Sequence, residues 1–298
     1  MRYFDIVWHS TKDGPGTRVV LFLQGCPLCC SWCHSPHSQP TEAPILFYGE
    51  YCTNCGKCAV ACKYGCHIAG GERHSFDRTD CVRCCKCVQN CSQRALVYNL
   101  RKEIPEVIFK RIKNELKLLK NIGGVTLSGG EPMLQYLEVK ELIKLCKEMG
   151  VHTAVETSGS ANIKCFEELL EYVDCWLFGL KQTDVEKCCV MMGADFNIIE
   201  RNLNFLARQA QCKIIIRTPL IEGFTDDIRN IQRIGEIMSA QSLDTIELLP
   251  YNPYTGHYYK VIGKDFDEKK FKLPSEDKLF NIINTLKGKG LNVKLLEV

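Results

Sequence analysis

Cys26, Cys30 and Cys33 stand within eight residues, in the stretch Gly25-Cys26-Pro27-Leu28-Cys29-Cys30-Ser31-Trp32-Cys33 that follows an apolar run at residues 19–23. The spacing Cys-x3-Cys-x2-Cys gathers three thiolates at one place in the chain. Three thiolates cannot fill a four-iron cube. One iron stays open, and an open iron in a dry pocket does chemistry where a cluster with four thiolates only carries electrons. A structural zinc site would need a fourth ligand, and no cysteine follows at zinc spacing. His34 is adjacent to Cys33, a poor geometry for closing a tetrahedron.

Two further cysteine blocks follow, Cys52-x2-Cys55-x2-Cys58-x3-Cys62 and Cys81-x2-Cys84-x2-Cys87-x3-Cys91. Eight cysteines at two identical spacings are far more specific than a lone pair, which argues against a zinc ribbon. The paired blocks resemble a bacterial two-cluster ferredoxin, in which the fourth cysteine of each block ligates the cluster of the other. That resemblance implies one cluster on Cys52, Cys55, Cys58 and Cys91, and a second on Cys81, Cys84, Cys87 and Cys62. The proline that follows the fourth cysteine in ferredoxins is replaced by Lys63 and Ser92, and Cys66 and Cys85 lie close enough to offer alternative ligands.

The chain has 298 residues, room for one large α/β domain and a small one. A net charge of +3 implies no steering of nucleic acid. The longest apolar stretches are strand length, so no membrane partner is expected. The opening residues run into polar His9-Ser10-Thr11-Lys12-Asp13 instead of an apolar leader. Twenty cysteines in a long chain with 24% charged residues read as thiolates in a reducing compartment, which points to a cytoplasmic location. Of the nine cysteines outside the three blocks, most are expected to be small core residues.

Residues 4–9 and 18–23 read as strands. Residues 44–99 show few periodic apolar positions and look like an insertion held together by its clusters. After it, helices at 105–119, 137–149, 166–172, 198–207, 228–238 and 279–286 alternate with strands at 124–127, 153–155, 175–180, 213–217, 245–249 and 293–296. Alternation of this kind argues for parallel βαβ units, whose functional residues gather at the carboxyl ends of the strands. The unusual residues fall there: the Cys26 loop, Ser128-Gly129-Gly130-Glu131-Pro132, Glu156-Thr157-Ser158-Gly159, Lys181, Arg217 and Asn252. One face of an incomplete barrel, lined by a cluster loop, a glycine pair, two cations and an acid, is the expected site.

The Cys26-x3-Cys30-x2-Cys33 spacing resembles the signature of the radical S-adenosylmethionine (radical SAM) enzymes. Together with Asp13-Gly14-Pro15-Gly16-Thr17-Arg18, residues 124–132 (Gly-Val-Thr-Leu-Ser-Gly-Gly-Glu-Pro) and Leu249-Pro250-Tyr251, it resembles the glycyl radical enzyme activating enzymes over nearly the whole chain. The fold implied is α/β: an incomplete (β/α)6 radical SAM barrel of residues 1–43 and 100–298, with a small ferredoxin-like two-cluster insert at 44–99. The resemblance implies Cys26, Cys30 and Cys33 as ligands of a 4Fe-4S cluster whose open iron is chelated by SAM. It implies Trp32, Gly129, Gly130, Glu131, Glu156, Lys181, Arg217 and Asn252 as cofactor-binding residues. The Gly129-Gly130 strand end would bind the methionyl amino group, Lys181 and Arg217 the methionyl carboxylate, and Glu156 the ribose or the amino group. Asp13 and Arg18 would position an incoming glycine loop. Gly179 stands where the family carries an aspartate that helps hold a metal cation beside SAM, and Asn252 where it often has a histidine.

The activity implied is that of an oxidoreductase in anaerobic metabolism. Reductive cleavage of SAM gives a 5′-deoxyadenosyl radical, which takes a hydrogen atom from a glycine of a partner glycyl radical enzyme. Three 4Fe-4S clusters and SAM are the implied cofactors, and flavodoxin or ferredoxin the implied electron donor. The insert would relay electrons, hold the partner, or brace the fold. Two other functions share parts of the pattern: a radical SAM enzyme acting on a small molecule, and a plain electron-transfer iron–sulfur protein. The long barrel pattern and the three-cysteine loop do not fit the latter.

Overall fold

The structure is a computed structural model and describes residues 1–297. It opens with an antiparallel hairpin, β1 (Arg2–Ser10) and β2 (Thr17–Leu23). A run of short elements follows: β3 (Leu46–Phe47), α1 (Lys57–Ala61), β4 (His67–Ile68), β5 (Ser75–Phe76), α2 (Lys86–Gln89), β6 (Leu96–Val97) and β7 (Arg101–Lys102). The chain then becomes regular, with α3 (Pro105–Leu119), β8 (Gly123–Gly129), α4 (Tyr136–Glu148), β9 (His152–Thr157), α5 (Ile163–Glu167), β10 (Cys175–Gly179), α6 (Val185–Met192) and α7 (Phe196–Gln209). It ends with β11 (Lys213–Leu220), α8 (Ile228–Ala240), β12 (Thr245–Pro250), α9 (Thr255–Val261), α10 (Glu276–Lys287) and β13 (Asn292–Leu295).

One sheet carries the fold, in the order β13-β12-β11-β10-β9-β8-β2-β1-β7. From β2 to β13 every pairing is parallel. Each new strand lies beside its predecessor, as in a barrel wall, with no switch point of the kind that marks a doubly wound sheet. The wall stays open, with β13 and β7 as its edges.

Side-chain alternation gives the wall two faces. Val19, Leu21, Leu23, Val125, Leu127, Val155, Trp176, Phe178, Ile216 and Leu248 face the helices, where Ile108, Ile112 and Leu116 of α3 and their counterparts complete the main core. The opposite face has only a small apolar patch, Ala154, Cys175, Leu177 and Ile215. Many of its other positions, among them Arg18, Thr126, Glu156, Arg217 and Glu247, are polar, and the β1–β2 loop packs across it. Gly14 lies there with φ +114°, and a Cβ on it would sit 3.6–3.8 Å from Leu177, Thr126 and Ala154. Thr126 Oγ1 donates to the Asp13 carbonyl at 2.6 Å.

Arg18 corrects an expectation. It has no exposed surface. Its guanidinium donates to Thr126 Oγ1 at 3.0 Å and to the carbonyls of Val125 and Pro15. It ties the inner face together and is not available to an incoming loop.

The helix expected at 166–172 is shorter and earlier: Asn162 caps it by accepting from Lys164 N, and it ends at Glu167. Helices α6 and α9 were not expected. α6 has only eight residues, capped by Asp184 and stopped at Gly193 with φ +66°, too short for periodicity to show.

The segment at 44–99 packs on the rest of the chain around α9, where the Tyr48 ring lies 5.9 Å from that of His257. Leu46 forms an apolar cluster with Val261 and Ile262, and the Arg78 guanidinium donates to the Val261 carbonyl at 2.8 Å. Among the described residues, no helix is long and apolar enough to cross a membrane.

Candidate functional site

The Cys26 loop leaves the carboxyl end of β2 and is fastened on two sides. Gly25 N donates to the Ser38 carbonyl at 2.8 Å and Cys26 N to that of Gln39 at 2.9 Å. Buried Gln24 reinforces this through Nε2, which donates to the carbonyls of His37 and Pro40. On the other side Cys29 N and Ser31 N donate to Met192 and Met191 at the end of α6, at 2.9 and 3.0 Å. Cys29 also packs on Gly193, where a Cβ would stand 2.7 Å from its sulfur. The loop is held in shape by the protein itself. Trp32 is buried in its last turn, edge-on to Phe224 at 5.9 Å between ring centroids.

The end of β8 packs against the start of this loop. Gly130 N donates to the Leu23 carbonyl and Glu131 N to that of Gly25, each at 2.8 Å. Gly129 has φ +110°, and a Cβ on either glycine would collide with the backbone of residues 22–25. The glycine pair is thus required by the chain's own close packing. Glu131 is fully buried. Its carboxylate accepts from Thr157 Oγ1 and Ser158 N at 2.8 Å, from Ser158 Oγ at 2.5 Å, and from Met133 N at 3.2 Å. It clasps the end of β9 to the glycine turn.

Lys181 follows β10, with its ammonium within electrostatic reach of the three thiols. Burial works to lower its pKa, but Cys30, Cys26, Cys33 and Glu131 outweigh burial, and the net shift is upward. Its Nζ has no hydrogen-bond or ion-pair partner among the described residues. Arg217 is different. Its Nη1 lies 2.7 Å from Glu156 Oε1, its Nε 3.0 Å from Glu247 Oε2, and Nη2 donates to the Lys12 carbonyl. Burial disfavours its charge, but the two carboxylates overcome this and raise its pKa. Glu156 also accepts from Ser128 Oγ at 2.6 Å. Burial pushes the Asp13 carboxyl up, with Glu156 adding to it. Asn252 sits at the end of the β12 strand, where its Oδ1 accepts from Tyr254 N at 2.9 Å ahead of α9. Glu247 was not singled out by sequence, although a lone acid within the apolar β12 strand is a readable signal.

The donor set suits an iron–sulfur cluster. Burial drives the thiol of Cys26 up to about 12 and that of Cys33 up to about 11, with Cys30 shifted the same way. Thiols shifted in this direction lose their protons against strong positive charge, which iron supplies. The unpartnered Lys181 ammonium adds to it.

The cysteines of the two blocks gather in two hollows. One, with about 370 Å³ of atom-free space, is lined by Cys52, Cys55, Cys58 and Cys91. The other, with about 280 Å³, is lined by Cys62, Cys81, Cys84 and Cys87, together with Cys66 and Cys85. Each fourth cysteine therefore lies with the opposite block. Of the other cysteines, Cys146, Cys165, Cys175 and Cys188 are buried, as small core residues should be, whereas Cys29 and Cys189 are exposed.

A protein-family profile described as "4Fe-4S single cluster domain" matches residues 12–188. The chain is 32% identical over 294 residues to the trans-4-hydroxy-L-proline dehydratase activating enzyme of Clostridioides difficile, covering 96% of each. It is 34% identical over 268 residues to the isethionate sulfite-lyase activating enzyme of Oleidesulfovibrio alaskensis, covering 88% of this chain and 86% of the other. The chain belongs to the glycyl radical enzyme activating enzymes.

This activating enzyme resembles a solved domain of a pyruvate-formate lyase-activating enzyme from Bacteroides vulgatus, with a TM-score of 0.50 at 28% identity, over 59% of this chain and 99% of the other. A radical SAM methyltransferase from Sphaerobacter thermophilus matches 98% of this chain and 76% of its own at a TM-score of 0.57 and 12% identity, which shows the radical SAM fold. The enzyme is an oxidoreductase that cleaves S-adenosylmethionine and generates a radical on a partner glycyl radical enzyme. It works with an iron–sulfur cluster and SAM.

Proposed function

We propose that Cys26, Cys30 and Cys33 hold the 4Fe-4S cluster that binds SAM, and that this enzyme opens a hydrogen-atom abstraction site for one glycine of its partner. The observation that carries the reading is the Lys181 ammonium, which feels the charge of buried Cys30 and half-buried Cys26 and Cys33 and has no hydrogen-bond or ion-pair partner among the described residues. When bound, the cluster supplies the electron that breaks the carbon–sulfur bond of SAM. The protein binds, orients and excludes water. Lys181 takes the methionyl carboxylate as a charge-assisted contact. Backbone at Gly129-Gly130 borders the methionyl amino group, and Trp32 closes the loop from below. Glu156 takes a ribose hydroxyl or the amino group, with Arg217 and Ser128 fixing its carboxylate. Glu131 and Asn252 shape the rim from their clasped and capping positions.

In the same reading residues 44–99 are a ferredoxin-like domain inserted into a barrel of residues 1–43 and 100–298. Its two hollows hold one 4Fe-4S cluster each, so the enzyme carries three. A flavodoxin or ferredoxin of the cytoplasm reduces them. The partner's glycine loop enters along the open side of the sheet, the way an extended peptide meets a free edge.

Anaerobic reconstitution tests this. The wild type should bind about twelve irons per chain. The Cys26→Ala, Cys30→Ala, Cys33→Ala variant should keep about eight and lose SAM cleavage. Co-expression with a candidate glycyl radical enzyme should give a glycyl radical signal in electron paramagnetic resonance with the wild type only. Full iron content in the triple variant would refute the ligand assignment.

A further inference from the structure

Two histidines that the SAM site does not use lie between the two cysteine hollows. His74, just ahead of β5, lines the hollow of Cys52, Cys55, Cys58 and Cys91. His67, at the start of β4, lines the hollow of Cys62, Cys81, Cys84 and Cys87. The rings meet, with His67 Nδ1 and His74 Nε2 at 3.0 Å. On its other side His74 Nδ1 lies 3.3 Å from Cys52 Sγ, and His74 Nε2 is 3.6 Å from Cys58 Sγ.

Independent contacts fix this arrangement. Asn54 straps the β4–β5 connection to the Cys52 loop, donating from Nδ2 to the Gly71 carbonyl at 2.6 Å and accepting at Oδ1 from Gly70 N at 3.1 Å. His67 stacks on Phe76 with centroids 4.3 Å apart, and His74 stands edge-on to Phe47 at 4.5 Å. Among the described residues, no histidine hydrogen-bonds to a block cysteine of the second hollow.

An iron-bound Cys52 sulfur carries no proton, so the hydrogen between it and His74 must sit on Nδ1. A neutral His74 has one N–H, so its Nε2 is then bare and accepts from His67 Nδ1–H at 3.0 Å, and the longer 3.6 Å approach of Nε2 to Cys58 Sγ is a contact without a hydrogen bond. The donors run one way, from His67 through His74 to the Cys52 sulfur. Hydrogen bonds to cluster sulfurs are one of the means by which a protein sets reduction potential.

We infer that the His67–His74 pair makes the two auxiliary clusters unequal by donating a hydrogen bond to the Cys52 thiolate and so raising the reduction potential of the first above that of the second. This rests on the reading that the two hollows hold clusters. Each cluster takes one electron from a reduced one-electron carrier protein, passing from its 2+ to its 1+ state. The bond disperses the added negative charge on the first cluster only.

The test is a potentiometric titration followed by electron paramagnetic resonance on the reconstituted whole enzyme, comparing the wild type with His74→Phe and His74→Gln. The SAM-binding cluster is recognised by its spectral response to SAM. His74→Phe should keep the full iron content and lower one auxiliary midpoint. At fixed potential the ratio of reduced to oxidised cluster should fall about tenfold, equal to about 59 mV for one electron. His74→Gln, which keeps an N–H donor, should give a smaller fall in the same midpoint. Unchanged midpoints in His74→Phe, or equal falls in both auxiliary clusters, would overturn the inference. Loss of about four irons in both variants would also overturn it, since the pair would then brace the site and not tune it. A wild type with only about four irons would instead remove the cluster reading on which the inference stands.

Discussion

Replacing Arg217 with methionine removes the cation that two carboxylates share. Arg217 is 3% exposed and lies 2.7 Å from Glu156 and 3.0 Å from Glu247. At an effective dielectric of about 20, each such contact carries roughly 4 kcal/mol of attraction, much of it offset by the cost of taking the charges out of water. Removing only the cation forfeits the attraction and leaves the cost in place. The expected loss is about 3–5 kcal/mol. For a chain of this size that is a fall of about 6–10 °C in Tm, at roughly 2 °C per kcal/mol. Anaerobic thermal and urea unfolding of the cluster-loaded enzyme measure it. The sign of the pH dependence is a second check. Burial works to raise the Glu156 carboxyl and Arg217 is the first of the groups that hold it low, so without Arg217 its contribution shifts toward one present at low pH and lost as pH rises. The deficit against the wild type should therefore grow between pH 5 and pH 8. A loss below about 1 kcal/mol, or one that does not change with pH, would refute a buried network centred on Arg217.

Lys181→Met should leave stability nearly unchanged and weaken SAM binding by about 10–150-fold, because it removes a charge-assisted contact worth roughly 1.5–3 kcal/mol; an unchanged dissociation constant places Lys181 outside the site. Cys55→Ala or Cys84→Ala should reduce turnover with a protein reductant far more than turnover with a small chemical reductant if the insert relays electrons. Equal losses with normal iron at the SAM-binding cluster would show that it only braces the fold. His37 is buried and held at about 4, first by burial and then by the charge of His34. Its folded pKa is depressed, so its stabilising contribution is complete above about pH 6.5 and is lost as pH falls toward 4. In His37→Phe the stability should fall less over that window, as read by denaturant midpoints; parallel pH curves would disprove the assignment.

The cysteine pattern was legible because the candidate ligands are local. Cys26, Cys30 and Cys33 belong to one loop, and the two blocks repeat one spacing. The parallel alternation of strands and helices was equally plain, since a buried strand and an amphipathic helix each write their period into consecutive residues. From these follow a parallel α/β wall and an expected site at its strand ends; the family comes from the resemblance of the Cys26 triad taken together with residues 13–18, 124–132 and 249–251.

What the tertiary structure decided is which neighbours those side chains meet. Lys181 and Arg217 read alike in sequence, each a cation at or near a strand end. The fold sets one within electrostatic reach of three thiols and locks the other between Glu156 and Glu247, from different strands. Gly129 and Gly130 read as room for a ligand, but residues 22–25 lie against them. The resemblance implies Glu131 as a cofactor-binding residue, and Thr157 and Ser158, 26 and 27 residues away, take up its oxygens. α6, whose carbonyls hold the Cys26 loop, is too short to announce itself. Local spacing fixes what chemistry a residue can offer. Contacts across strands fix whether it faces the ligand or the protein, and single-chain periodicity carries no record of them.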